Sequence, residues 1–182
     1  MKKLVIAFVA LLMTTCAVAQ EFGEGSNRLH LGIGVGSAYA YSGSTSSIPP
    51  VHASFEHGIT DKIGVGALVG YTASTLEQSF LSTSYEWKFT YLLVGARGAY
   101  HFKTDDKIDL YGGAMLGYNV ASAKFESNDA SLNAFITEPK VGGVAVGAFV
   151  GGRYNFNEKI GIFGELGYSL AYLSAGLCFN LN

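Results

Sequence analysis

The sequence predicts an all-β fold, an eight-stranded antiparallel up-and-down transmembrane β-barrel. Three observations predict it. Apolar residues recur at every second position through eight segments, the period of a strand with two unlike faces. Short polar turns fall on one side of the strand order and mostly longer linkers on the other. The chain is also poor in charge, with 14% charged residues against 13% aromatics and 24 glycines. A water-soluble domain carries about 25% charged residues, so much of this surface is expected to face something other than water.

The N-terminus reads as a signal peptide over 1–19. Lys2 and Lys3 supply its positive end, and Leu4 to Met13 form an apolar stretch too short to span a bilayer. Ala17-Val18-Ala19 is an A-x-A site that places the cut before Gln20. Lipoprotein processing at Cys16 is the alternative, although Met13-Thr14-Thr15 lacks the small residue expected just before such a cysteine. Loss of Lys2 and Lys3 leaves 10 of the 12 Lys and Arg against 14 Asp and Glu. Only Cys178 then remains, so no internal disulfide forms, and no Cys/His spacing suggests a metal. No basic run points to nucleic acid, and no later stretch approaches the roughly 18 apolar residues of a spanning helix. Residues 20–27 are expected to be an N-terminal periplasmic segment and 28–182 the barrel.

The strands follow in order at 28–40, 50–59, 63–75, 85–102, 108–125, 143–156, 160–169 and 173–181. In the first, Leu29, Leu31, Ile33 and Val35 alternate with His30, Gly32 and Gly34. In the second, Val51, Ala53 and Phe55 alternate with His52, Ser54 and Glu56. The third sets Ile63, Val65, Ala67 and Val69 against Gly64, Gly66, Leu68 and Gly70. The fourth departs from the rule: its apolar row passes from Trp87, Phe89 and Tyr91 to Leu92, Val94 and Ala96. Either a β-bulge near Tyr91-Leu92 or a strand that outruns the membrane accounts for this. The last four strands alternate cleanly, ending with Ala175, Leu177, Phe179 and Leu181 against Ser174, Gly176, Cys178 and Asn180. Asp61-Lys62-Ile63, Asp106-Lys107-Ile108 and Glu158-Lys159-Ile160 mark the three tight turns that join strands two to three, four to five and six to seven. The longer linkers are 41–49, 76–84 and 126–142, and a very short one is 170–172. All three prolines, Pro49, Pro50 and Pro139, are expected in or beside these linkers, where no ladder hydrogen bond is lost.

A soluble ligand-binding barrel would place the apolar row inside and charge outside; a membrane barrel reverses this. The polar rows here are glycine, alanine, serine and threonine with isolated charges, too few for a wet outer surface. Those charges, Glu56, Arg97, Asp109, Arg153 and Glu165, are expected to pair in a narrow lumen. Arg153 with Glu165, across the 157–159 turn, is the leading pair and Arg97 with Asp109 the second. An interior filled this way leaves no open diffusion pore. Phe55, Tyr100, Phe102, Tyr154 and Phe156 gather beside the short turns, while Tyr71, Trp87, Phe89, Tyr118, Tyr168 and Tyr172 gather towards the long linkers, as two interfacial girdles would.

No P-loop, HExxH, GxSxG or dinucleotide fingerprint is present. The glycines of "GIGVGSAYA" alternate within a strand, so they serve packing rather than a phosphate loop. "HASFEH" places His52, Ser54 and Glu56 on one face and resembles the His-x-Ser and Glu of outer-membrane lipid A deacylases. In this chain the alternation turns His52 and Ser54 inward, away from lipid, and the motif lies early rather than late. No catalytic residue, cofactor or metal is therefore expected.

Ser174 to Leu181 reads polar-x-Gly-x-x-aromatic-x-hydrophobic, with Gly176, Phe179 and Leu181 at the marked positions. That resembles the signal in the last strand that the outer-membrane assembly machinery recognises, with Leu181 where an aromatic is usual and Asn182 trailing. With it, the mature chain resembles the small OmpA/OmpX-like outer-membrane barrels along nearly its whole length. The resemblance implies a Gram-negative outer membrane as location, both termini in the periplasm, and outer-membrane lipid and the assembly machinery as partners. It further suggests a non-enzymatic structural or surface-interaction role, adhesion or defence, with a surface ligand held by the extracellular loops. A small porin-like channel is the alternative, and a lipid A-modifying enzyme a more remote one. The fourth and fifth strands exceed the roughly 9–11 residues a crossing needs, and should project as a sheet with an exposed edge.

Overall fold

The computed structural model describes residues 22–39, 43–80, 83–105, 107–127 and 140–181. The signal peptide expected over 1–19, with Cys16, and Asp106 of the second turn, Pro139 and Asn182 lie outside the described residues.

Within the described residues the strands are β1 (Asn27–Val35), β2 (Thr45–Gly58), β3 (Ile63–Phe80), β4 (Thr83–Thr104), β5 (Ile108–Ser127), β6 (Lys140–Asn155), β7 (Ile160–Tyr168) and β8 (Leu173–Asn180). Each pairs antiparallel with the next, and β8 pairs with β1 through seams such as Leu31↔Leu177, so the sheet closes into an eight-stranded up-and-down barrel. At two of the three short turns one side chain caps the bend. Thr60 Oγ1 accepts from the amides of Lys62 and Ile63 at 3.2 and 2.9 Å. Asn157 Oδ1 does the same for Lys159 and Ile160, both at 2.9 Å. Such side-chain-closed turns are local and inexpensive, which suits hairpins that need only reverse direction.

The alternation sets the two faces. Leu31, Ile33, Val65, Val69, Val94, Leu116, Val146 and Leu166 stand exposed on the outside, Leu116 and Val146 by more than 60%. Arg28, His30, Ser54, Glu56, His101, Asp109 and Arg153 are buried on the inside. An outer wall of bare Val, Leu and Ile around a charged interior is the inverse of a water-soluble domain. At the short-turn end, Phe55, Tyr100, Phe102, Tyr154 and Phe156 ring the outside, and Tyr118, Tyr168 and Tyr172 stand out at the other end.

Several expectations are corrected. The shift of apolar residues in β4 involves no bulge at Tyr91-Leu92: Tyr91 pairs with Thr72 and Ala121, and Leu92 with Tyr71 and Val120, in unbroken register. The irregularity lies instead between His101 and Lys103. Trp87, Phe89 and Tyr91 share the inward parity of fully buried Leu93, so Trp87 and Phe89 do not belong to the outer girdle. Pro49 and Pro50 fall inside β2, where the ladder to β3 jumps from Ile48↔Ala73 to Val51↔Tyr71. The skipped register absorbs two residues that cannot donate. The expected linker over 76–84 is a hairpin paired out to Phe80↔Thr83.

Candidate functional site

Closing the sheet brings the inward rows together in three layers. The lowest, beside the short turns, is ionic. Asp109 faces Arg153 directly in the β5–β6 register, and Arg28 faces Glu56 in β1–β2. Asp109 Oδ2 accepts from Arg153 Nη1 at 2.7 Å and from Arg28 Nη1 at 2.6 Å. Its Oδ1 lies 2.7 Å from His101 Nδ1, while His101 Nε2 lies 3.1 Å from Glu56 Oε1. Carboxylates only accept, so the bridge is complete when the ring carries both protons. Arg153 Nη2 also pairs with Glu56, and the guanidinium lies 4.1 Å from the Tyr111 ring centroid. Five charged or ionisable side chains thus pair with one another where water is nearly excluded, with Arg153 Nε left without a hydrogen-bond partner among the described residues.

The middle layer holds Arg97 and Glu165, 2.8 Å apart on opposite walls. The Tyr111 hydroxyl donates to the same Glu165 oxygen at 2.9 Å, and Arg97 stacks 3.9 Å from the Phe149 centroid. The upper layer is apolar: Leu68, Leu93, Met115, Ala145 and Leu170, with Tyr39 packed on it. Leu170 and Ala171 reach this layer because the short β7–β8 connection dips into the mouth. Glycine makes room at the tightest points; a Cβ at Gly32 would come 2.6 Å from the His52 ring. Between the layers lie cavities of about 10 and about 20 Å³, each the size of a water molecule at most. Between its layers the described lumen is packed; wider spaces of about 110 Å³ beside Tyr39, Thr72 and Tyr91 and of about 630 Å³ beside Phe22, Asp61 and Phe102 lie at its two ends.

Glu56, Arg97, Asp109, Arg153 and Glu165 all face this interior, but their expected partners exchange. Arg153 reaches Asp109 and Glu56, and Arg97 crosses the lumen to Glu165. In the β6–β7 register Glu165 stands opposite Gly151, one pleat above Arg153, whereas Asp109 is the direct cross-strand neighbour of Arg153. Arg28, His101 and Tyr111 complete the network and were missed. Arg28 and His101 were legible in principle, since they share inward parity with His30 and Arg97 respectively.

His52, Ser54 and Glu56 of the "HASFEH" row each meet residues of other strands. Ser54 meets His30 of β1 at 3.3 Å rather than His52, and Ser54 is only 4% exposed within the lumen. Glu56, the carboxylate of the row, is held by Arg153 and His101, and the Nε2 atoms of His30 and His52 have no hydrogen-bond partner among the described residues. Both rings pack edge-on against Phe163 instead.

At the opposite end three strands outrun the barrel. The β2–β3 ladder ends at Thr45↔Thr75 and the β5–β6 ladder at Ser122↔Lys140. The β3–β4 and β4–β5 ladders continue to Phe80↔Thr83 and Tyr85↔Ser127. Leu76–Phe80 and Ala123–Glu126 therefore form the two edges of a projecting sheet, without a further strand ladder among the described residues. Its inner face is aromatic, with Trp87 against Phe125 at 5.0 Å and against Phe89 at 6.3 Å. Its outer face is charged: Lys88 pairs with Glu126 at 2.8 Å and Glu86 at 3.5 Å, with Lys124 alongside and Glu77 opposite Glu86, three acids against two lysines. Hydrogen bonding to Glu126 raises the Lys88 ammonium above its usual range, and the same bond lowers the Glu126 carboxyl.

In β8, Gly176 lies so close to β1 that a Cβ there would strike the Leu31 carbonyl, so its lack of a side chain lets the seam close. Phe179 and Leu181 face outward, and Leu181 N donates to Asn27 O at 2.9 Å.

No protein-family model matches this chain, and no curated protein sequence matches it. Solved structures do. The N-terminal β-barrel domain of OprF from Pseudomonas aeruginosa superposes with a TM-score of 0.55 at 16% identity, over 87% of this chain and 99% of that one. Ail, the attachment invasion locus protein of Yersinia pestis, superposes with a TM-score of 0.50 at 19% identity, over 87% and 95% of the two chains. Ail in complex with the heparin analogue sucrose octasulfate gives the same values. At these identities the likeness is one of fold, and the fold is the eight-stranded barrel described above.

Proposed function

We propose that this chain is an outer-membrane β-barrel with a non-enzymatic, surface-interaction role, and that its active part is the sheet projecting from β3, β4 and β5. The observation that carries this is the contrast between the two ends. The lumen is filled by ion pairs and apolar side chains, whereas one end extends strands of 18, 22 and 20 residues, about twice the 9–11 residues that a crossing needs. Long, paired strands beyond a membrane serve neither crossing nor conduction, and an open sheet edge accepts an extended partner by strand addition. The fold shared with Ail, whose name records attachment, supports the same reading. Ail binds a sulfated heparin analogue; here Lys88 and Lys124 are outnumbered by Glu77, Glu86 and Glu126, which favours main-chain recognition over polyanion binding. Cells expressing the intact protein should adhere to immobilised matrix proteins more strongly than cells expressing a variant in which residues 76–88 are replaced by a tight turn. Equal adhesion at equal surface level would remove the interaction role.

The outward rows of Val, Leu and Ile, bounded by aromatics at both ends, support a bilayer as the surrounding solvent. On this reading the short turns are periplasmic, residues 1–19 are a cleaved leader, and the β8 row through Gly176, Phe179 and Leu181 is the element the assembly machinery reads. The outer-membrane fraction should contain a band whose mobility changes on boiling and whose N-terminal residue is Gln20. Phe179→Ala should reduce that band severalfold while leaving precursor levels unchanged. A lipidated N-terminus at Cys16, or undiminished yield of the variant, contradicts the corresponding part.

A further inference from the structure

The N-terminal segment does not trail from the barrel. Phe22 is 3% exposed, although it precedes the first strand. Its ring stacks face to face on His101 at 3.5 Å with an interplanar angle of 9°. Arg28 lies 5.1 Å from the centroid of the same ring. The ring thus covers the outer side of the ionic layer. It touches two of that layer's cationic or cation-forming side chains, Arg28 and His101. An aromatic face is the apolar surface best suited to that position, because its π-cloud attracts cations while its bulk excludes water.

The backbone around Phe22 is built to hold it there. Ser26 Oγ donates to Gly23 O at 2.7 Å and Ser26 N to the same oxygen at 3.1 Å. Gly25, at φ +80°, makes the reversal and donates to Gly58 O at 2.8 Å, while Gly58 N donates to Ser26 O at 2.9 Å. Glu24 N reaches Asp61 Oδ1 in the first short turn at 3.4 Å. A Cβ at Gly58 would collide with the Gly23 carbonyl, so the end of β2 is glycine where the segment crosses it.

We infer that residues Phe22–Ser26 form a strap whose aromatic stopper closes the short-turn end of the lumen, and that the ionic layer stays dry only while the strap is seated. The strap is joined by a handful of hydrogen bonds to one β-turn, so it can open without unfolding the barrel. It makes the N-terminal segment a working part of the closed state rather than a spacer ahead of it.

The native cysteine supplies the test. Cys178 is fully buried on the inward face of β8, opposite His30, and is the only cysteine after Gln20. The mature protein, folded in detergent or lipid, should react very slowly with a small methanethiosulfonate reagent. Phe22→Ala, which removes the stopper, and Gly58→Ala, which unseats the strap without touching Phe22, should each raise the labelling rate by about tenfold or more while boiling-dependent mobility persists. Unchanged rates in both folded variants overturn the proposal. Should either variant fail to fold, the wild type still decides. The His101 ring protons should be shifted strongly upfield by the stacked phenyl group relative to exposed His57, and unshifted His101 resonances refute a seated stopper.

Discussion

Asp109→Ala should lower the stability of the folded barrel by about 3–5 kcal/mol, the range for removing one partner from a buried ion cluster. Asp109 is wholly buried and is the one carboxylate that touches Arg28, Arg153 and His101 together, at 2.6, 2.7 and 2.7 Å. Its loss takes from Arg28 the carboxylate oxygen it meets at 2.6 Å and leaves Arg153 with Glu56, in a site that water scarcely enters. The penalty is the desolvation of stranded cations, so truncation should cost far more than the pairing itself contributes. Asp109→Asn, which keeps shape and one acceptor, should cost less. Glu165→Gln should cost less again, because the amide oxygen still accepts from Arg97 and the Tyr111 hydroxyl and that pair is about 10% exposed. The check is the urea midpoint for unfolding from lipid vesicles across the three variants. If Asp109→Ala falls no further than Glu165→Gln, the lower layer is not the anchor of the lumen.

Val150→Arg addresses the outer wall. Val150 is exposed midway along β6, with Gly112 of β5 and Leu166 of β7 beside it. An arginine there makes no steric conflict in water and should change stability by no more than about 0.5 kcal/mol in a soluble barrel. In a bilayer it must carry a charge into hydrocarbon and should cost about 2–4 kcal/mol, less as snorkelling brings it to the interface. Measured in vesicles, a loss in that range supports lipid around the wall. A neutral result would remove the membrane reading, and with it the role assigned to the projecting sheet.

The strands were legible because a period of two survives whatever else the chain does. Leu29 to Val35, Ile63 to Val69 and Val144 to Val150 each carry one apolar row, and a strand can turn such a row only to one side. The three short turns were legible because turn chemistry is local: Thr60 and Asn157 each cap their bend within four positions. Misreadings arose where two strands had to be considered at once. Trp87 and Phe89 look like girdle residues in isolation, yet unbroken pairing with β3 and β5 carries them to the inner face. Pro49 and Pro50 look like loop residues, yet a register skip against β3 keeps them in β2.

The candidate site divides the same way. Alternation alone placed Glu56, Arg97, Asp109, Arg153 and Glu165 indoors, since inward parity is a property of each strand. It could not pair them. Who meets whom across a lumen depends on how far each strand is staggered against the next, summed around the closed sheet. That sum exists only after β8 has docked on β1. The seating of Phe22 is further removed still, because nothing in a residue ahead of the first strand announces a partner at His101. Sidedness is therefore written locally, in every second residue. The network of contacts, the closed mouth and the projecting sheet emerge only once the register around the whole barrel is set.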